Sequence, residues 1–373
     1  MALACGLSAG FAERAGPLPP VFVSMSARTP PRIRSARALG WRAISWALAV
    51  ALAAVFLFYS LRGIEWQRVW ILISGAKPAF LVIACVLSSG ALFLRALRWR
   101  ILLRAEGDIG MSAAFWATAA GYFGNNFLPA RAGELVRTFM ISSRSGLSNM
   151  YVLATALSER VADAIALMVI SAAVLLLLPA QPGWVAHASK PFAVLGLCGL
   201  ASIAILPRLQ KLGGATLRAL PLTQSLRARL LAMLEHGLRG VGAFHHARRL
   251  LGFLTLTIVI WCMDAAGAII VAQALGLALT VPVAFLLIAG LGLGSALPST
   301  PGYVGIYQFV AVSVLTPFGF SRTDAIAYIL LAQALSYLVT GGWGAGGFWQ
   351  YRRVSRLLGG DRSCEAVVGA PKF

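Results

Sequence analysis

Acidic residues are scarce in this chain: 12 Asp and Glu stand against 32 Lys and Arg in 373 residues, and charged residues of either sign make up only 12%. Soluble domains carry about 25% charged residues, so too little charge is present here to solvate a water-facing surface of ordinary size. Cysteines are equally sparse. The five, Cys5, Cys85, Cys198, Cys262 and Cys364, show no paired spacing, which argues against a zinc site or a disulfide framework. Of the four histidines, His236, His245 and His246 fall in a basic stretch with no Cys or acidic companions, and no metal is expected. No Walker motif, nucleophile elbow or zinc-protease pattern is present, so no cofactor is expected and ATP-driven work would need another subunit. Gly290, Gly292 and Gly294 alternate without a preceding strand, which excludes a dinucleotide fingerprint.

Apolar residues are abundant instead. The chain is 59% hydrophobic with a mean hydropathy of +0.80, more apolar surface than one soluble core could bury. About 20 apolar residues cross the hydrocarbon as a helix, and several runs approach or exceed that length without the polarity alternation of a barrel strand. The expected elements are 41–61, 79–94, 113–127, 151–178, 191–206, 250–277, 281–297, 303–318 and 325–349. The fold class is therefore all-α, a polytopic transmembrane helical bundle. Residues 1–40, with Pro17, Pro19, Pro20, Pro30 and Pro31 among five arginines, read as a disordered basic cytoplasmic tail, with Met25 as an alternative start.

The net charge of +20 is carried by short clusters beside apolar runs, which is a topology signal before it is a nucleic-acid signal. The tail before Arg42, the stretch Arg95, Arg98, Arg100, Arg104, the loop 207–250 with eight basic residues against Glu235, and the tail 350–373 should all face the cytoplasm. This puts both termini inside a multi-pass protein of the cell inner membrane, with the transmembrane domain at 41–349. One apolar segment, 113–127, then lies between two cytoplasmic points and must enter and return as a re-entrant hairpin, its return arm at 133–141. In the second half, 281–297 and 303–318 form a hairpin entered from the outside. The tips overlay: Leu128-Pro129-Ala130-Arg131-Ala132-Gly133 against Leu297-Pro298-Ser299-Thr300-Pro301-Gly302. Two broken-helix hairpins of opposite orientation are the pattern of an inverted-repeat transporter with its site near the midplane.

Chemistry concentrates near these tips. Asn125, Asn126, Arg131, Glu134 and Arg137 lie within 13 residues of otherwise apolar chain. A charge at the bilayer centre costs about 2.5–3.5 kcal/mol on insertion scales, so these residues should line a polar cavity. Glu134 and Arg137 can pair at their spacing, and Arg131 before a helix start, together with Arg137, suits a phosphate; anchoring a loop at the interface is the bland alternative. Glu159, Arg160 and Asp163 form a second cluster, either a proton-carrying carboxylate pair and counter-charge or headgroup-level anchors. Asp264, mid-run, needs protonation, a basic partner or a wet cavity. Ser299, Thr300, Tyr303, Tyr307 and Gln308 could bond a headgroup or only satisfy broken-helix backbone.

The motifs at 94–99, 125–137, 158–163 and 297–305 together resemble the flippase-like membrane domain of the lysylphosphatidylglycerol synthase family, in order over roughly 41–349. The resemblance implies a lipid flippase moving an anionic phospholipid, a glycolipid, or a polyprenyl or hopanoid-type lipid between leaflets. The chain ends about 24 residues after the expected last helix, so the family's aminoacyl-transferase domain is expected to be absent. The expected partners are membrane lipids, with no nucleic acid, and a homo-oligomer or an associated lipid-synthesis enzyme is open. The alternative is a membrane-embedded lipid-modifying enzyme or accessory subunit with Glu159 or Asp163 as base.

Overall fold

The computed structural model describes residues 50–128, 132–177, 224, 246–295 and 301–368, with side chains as far as 353; all lie in the unit Trp46–Phe373. The expected tail 1–40, the segment 191–206, nearly all of the loop 207–250, and Pro129, Arg131, Pro298, Ser299 and Thr300 lie outside the described residues. Among the described residues there is no strand. Ten α-helices follow one another: α1 Val50–Leu61, α2 Trp66–Ser74, α3 Pro78–Leu103, α4 Met111–Phe127, α5 Gly133–Ser145, α6 Asn149–Leu177, α7 Ala247–Ala274, α8 Val281–Gly294, α9 Ile306–Leu315 and α10 Arg322–Val368.

Local chemistry sets the ends of these helices. α3 opens on Pro78, whose missing N–H is no loss in a first turn, and α5 stops at Gly146, which takes the left-handed conformation at φ 71°. α3, α7 and α10 as far as Arg353 are long and apolar enough to cross a bilayer. The 26 residues of α3 rise about 39 Å at 1.5 Å each, beyond the roughly 30 Å of hydrocarbon. α4, α5, α8 and α9, at 17, 13, 14 and 10 residues, do not reach that length singly. They form two antiparallel pairs instead, α4 with α5 and α8 with α9.

Two stretches differ from the sequence reading. The segment between the expected elements 41–61 and 79–94 contains α2, a nine-residue helix bracketed by Gly63 and Gly75, with Trp66, Trp70 and Ile71 exposed. Its apolar stripe is real but shorter than any span, so a search for runs of membrane length passes over it. At the other end, α10 continues through Val368 rather than stopping near Trp349, since no proline interrupts 350–368.

The main apolar core joins α7, α8, α9 and the first half of α10, with Leu287, Ala284, Ile326 and Ala311 fully buried. A second cluster packs α3, α4, α5 and the start of α6 around Trp99, Leu103 and Tyr151. The α4–α5 pair is closed by glycine. Gly121 and Gly124 face Gly133 so closely that a β-carbon on Gly133 would overlap the Gly121 carbonyl oxygen and meet the Asn125 amide nitrogen. In the second pair Gly290 and Gly294 face Val310 and Ile306.

Both hairpin ends dock on α10. Asn126, in the last turn of α4, donates from Nδ2 to Thr340 Oγ1 at 2.8 Å. Gly302, in a 3-10 turn at Pro301–Tyr303, accepts at its carbonyl from Gln333 Nε2 at 3.0 Å and from the Tyr337 hydroxyl. Gln308 satisfies the start of α9, accepting from the Gly305 amide at 2.7 Å while its own amide donates to Gln333. Replacing Gly133 by Ala should force the α4–α5 pair apart and lower stability by about 1–3 kcal/mol, the usual overpacking range. Thermal unfolding in detergent would register this as a lower midpoint, whereas Gly267→Ala on α7, with open space around it, should leave the midpoint unchanged.

Candidate functional site

The site begins with two arginines one helical turn apart on α3. The sequence reading put Arg95 and Arg98 at the cytoplasmic face with Arg100 and Arg104; the structure turns both into the bundle, Arg98 buried at 1% side-chain exposure and Arg95 partly buried at 15%, against 52% for Arg104. Arg98 stays there because every face of its guanidinium is answered. Nη1 and Nη2 donate to the two oxygens of Asp163 at 2.6 and 2.9 Å, Nε and Nη2 reach Glu159 Oε1 at 3.2 and 2.9 Å, and Nη1 reaches Thr257 Oγ1 at 3.0 Å. Glu159 and Asp163 are four residues apart on α6, so one helical face presents both carboxylates to one arginine. The ring of Phe253 lies 5.0 Å from its guanidinium carbon.

The network continues into the α4–α5 pair. The second oxygen of Glu159 accepts from Arg137 Nη1 at 2.9 Å, and Arg137 Nε donates to Glu134 Oε2 at 2.5 Å. Arg137 also covers the Trp99 ring at 4.6 Å, and its Nη2 reaches the Ala156 carbonyl at 3.4 Å. The other oxygen of Glu134 accepts from Arg160 Nε at 2.8 Å and Asn125 Nδ2 at 3.3 Å. Three arginines (98, 137, 160) and three carboxylates (134, 159, 163) thus close a charge-neutral lattice across α3, α5 and α6. Glu134 is also the acid in the first turn of α5, where the exposed amides of a helix start favour a negative charge.

Beside the lattice lies a cavity of about 250 Å³. Its charged walls are Arg95 and Asp264, which pair with each other, together with Arg160 and Asp163 from the lattice. The basic partner that mid-helix Asp264 requires is therefore on α3. Tyr122, Asn125 and Asn126 come from α4, Trp261 from α7, Tyr303 and Tyr307 from the second hairpin, Ser336 and Thr340 from α10. Two smaller cavities, of about 170 and 150 Å³, share Asp264 and Ser336 with it. Tyr303 is held at φ 60°, the one non-glycine residue in the left-handed region among those described, a conformation that costs about 1–2 kcal/mol. Its ring stacks on that of Tyr307 at 4.9 Å and 11°.

Of the residues singled out from sequence, Asn125, Asn126, Arg160, Asp163, Asp264, Tyr303 and Tyr307 meet at this cavity. Glu134, Arg137 and Glu159 do not line it; they hold the lattice behind it, and Arg137, read as a phosphate-holding group, has its guanidinium committed to two carboxylates. Gln308 serves the backbone of the second hairpin, and Gly133 and Gly302 are points of close approach. Arg131, Ser299 and Thr300 lie outside the described residues. Arg95, Arg98, Tyr122, Trp261 and Ser336 were missed. Positive charge beside an apolar run reads as an interface marker, and only the matching acids on α6 and α7 could have signalled otherwise.

The family described as "Lysylphosphatidylglycerol synthase TM region" matches residues 46–344. A protein named Glycosyltransferase AglD, from Haloferax volcanii, is 25% identical over 327 residues, covering 78% of this chain and 51% of that protein. The chain thus spans about half the length of the curated relative it matches. No solved structure matches.

Replacing Arg98 by Ala would leave two buried carboxylates without their cation and should destabilise the protein by about 3–5 kcal/mol. Thr257→Val, which removes one neutral acceptor, should cost about 1 kcal/mol. Thermal melts of both variants beside the parent protein would reveal this order; an Arg98→Ala protein as stable as the parent would contradict the lattice.

Proposed function

The chain belongs to the lysylphosphatidylglycerol synthase TM-region family, and on that premise we propose that it carries a membrane lipid from one leaflet to the other. The observation behind this reading is the polar cavity at the junction of two glycine-closed helical hairpins, inside a bundle whose outer surface is apolar. Lipid exchange between leaflets is slow because the headgroup must leave water for hydrocarbon, where each unsatisfied polar group costs several kcal/mol. A cavity that offers paired charges, hydroxyls and amides replaces that lost hydration. Asn125, Asn126, Arg160, Asp163, Asp264 and Tyr303, with Arg95 and Ser336, are the headgroup contacts in this proposal. The two hairpins act as oppositely oriented re-entrant elements of an inverted repeat, and access alternates as their tips shift against α10. The protein is multi-pass in the cell inner membrane with both termini cytoplasmic, and membrane lipids are its partners.

A second reading is favoured by the name of the Haloferax relative, a glycosyltransferase. In it, the chain is the membrane part of a lipid-glycosylating system, or an accessory to one, and its cavity presents a lipid-linked substrate to an enzyme. This reading requires a new covalent product, whereas transport changes only where the lipid resides.

Purified protein in liposomes bearing fluorescent phosphatidylglycerol or glucosyl-diacylglycerol on one leaflet should accelerate exchange of at least one of them. Ser336, which faces all three cavities, gives the control: Ser336→Trp should fill the space and slow exchange by about ten-fold or more, a barrier increase of about 1.4 kcal/mol or more. Exchange no faster than in empty liposomes for either lipid would end the transport reading, and a chemically altered lipid in the same vesicles would favour the second.

A further inference from the structure

We propose that the cavity beside Asp264 recognises a neutral sugar headgroup carried on a lipid. This deepens the transport reading and rests on it only for the lipid anchor. Charge is the first argument. Every ionised group in the cavity wall is already matched: Arg95 by Asp264, Arg160 by Glu134, and Asp163 by Arg98. Among the described residues the wall therefore has no surplus cation to offer a phosphate, and an entering anion would give the site a net negative charge with no counter-charge of its own. A headgroup without charge enters while leaving those pairs intact.

The second argument is an orphaned donor. Trp261 is only 9% exposed, lines the cavity, and its indole Nε1 has no hydrogen-bond partner. A buried N–H left unmatched is destabilising, and an indole can donate but never accept, so the missing group is an acceptor. A sugar hydroxyl supplies one and, unlike a phosphate oxygen, donates in turn to a carboxylate; Asp163 and Asp264 stand in the same wall.

The third argument is aromatic surface. The Trp261 ring and the stacked Tyr303–Tyr307 pair belong to one wall, and Tyr303 reaches it through a left-handed backbone that a non-glycine residue rarely adopts. Aromatic faces carry partial negative charge and meet the C–H faces of a sugar ring favourably, with hydroxyls left at the rim for polar partners. The cavity volume of about 250 Å³ suits one headgroup rather than a whole lipid, whose chains would stay outside.

The test is binding, independent of transport. Native mass spectrometry of the protein in nanodiscs should show glucosyl-diacylglycerol retained about ten-fold more than diacylglycerol or phosphatidylglycerol, the ratio expected when one buried hydrogen bond is satisfied. Trp261→Phe keeps a six-membered aromatic ring and removes the donor, and should abolish most of that preference while the protein still folds, as a cooperative thermal melt would show. Equal retention of the three lipids by the parent protein would overturn the proposal without any variant, as would a full preference in Trp261→Phe. Free methyl glucoside binding as tightly as the glycolipid would overturn the assignment to a lipid. Retention of the glycolipid without leaflet exchange would refute transport and leave this proposal standing; exchange of phosphatidylglycerol with no glycolipid preference would do the reverse.

Discussion

One guanidinium organises the bundle. Arg98 sits on an apolar helix of membrane-crossing length, and nothing in its surroundings except Glu159, Asp163 and Thr257 could keep it charged there. Those partners come from α6 and α7, so the requirement to neutralise one side chain sets the distance and rotation of α3, α6 and α7 together. Because Glu159 has a second oxygen, the same requirement passes on to Arg137, then through Glu134 to Arg160, and so fixes where the α4–α5 pair lies against α6. Hydrophobic burial holds such helices in a membrane but is indifferent to their rotation. A lattice of alternating charges is not, because each bidentate contact has a direction.

The two halves of the chain meet this lattice differently. The first hairpin is built into it through Glu134 and Arg137, whereas the second touches α10 through backbone carbonyls, amides and a phenol around Gly302, Gln308 and Tyr337. One hairpin is therefore pinned by ionic contacts and the other by neutral hydrogen bonds of smaller individual worth. The cavity lies where the two fastenings adjoin. In the transport reading, the second hairpin and α10 are the more readily displaced elements.

Much of this architecture was visible in the sequence because bilayer physics writes in a simple code. The ends of α4, α5 and α8 and the start of α10 fall within a few residues of where hydropathy and the Leu-Pro and Gly signals put them, and the short segments between long runs announced paired helices. Glu134 and Arg137 join as their three-residue spacing allows. The partners of Arg98 were not legible. Glu159 and Asp163 follow it by 61 and 65 residues, and no spacing rule links positions that far apart. A positive residue beside an apolar run is ordinarily a cytoplasmic marker, so Arg95 and Arg98 read as topology until α6 and α7 were seen packed on α3. Trp261 and Tyr122 were silent for a plainer reason: an aromatic residue in an apolar helix looks the same whether it faces lipid or a cavity.

The separation between Arg98 and its carboxylates also imposes an order on synthesis. The ribosome delivers Arg98 61 residues before Glu159 exists. Asp264, the counter-ion of Arg95, follows after 169. In the proposed topology α3 therefore reaches the membrane apolar enough to cross it but with Arg95 and Arg98 unpaired, and they are neutralised only once later helices arrive. The helix waits, like a key held in the lock, until α6 turns against it.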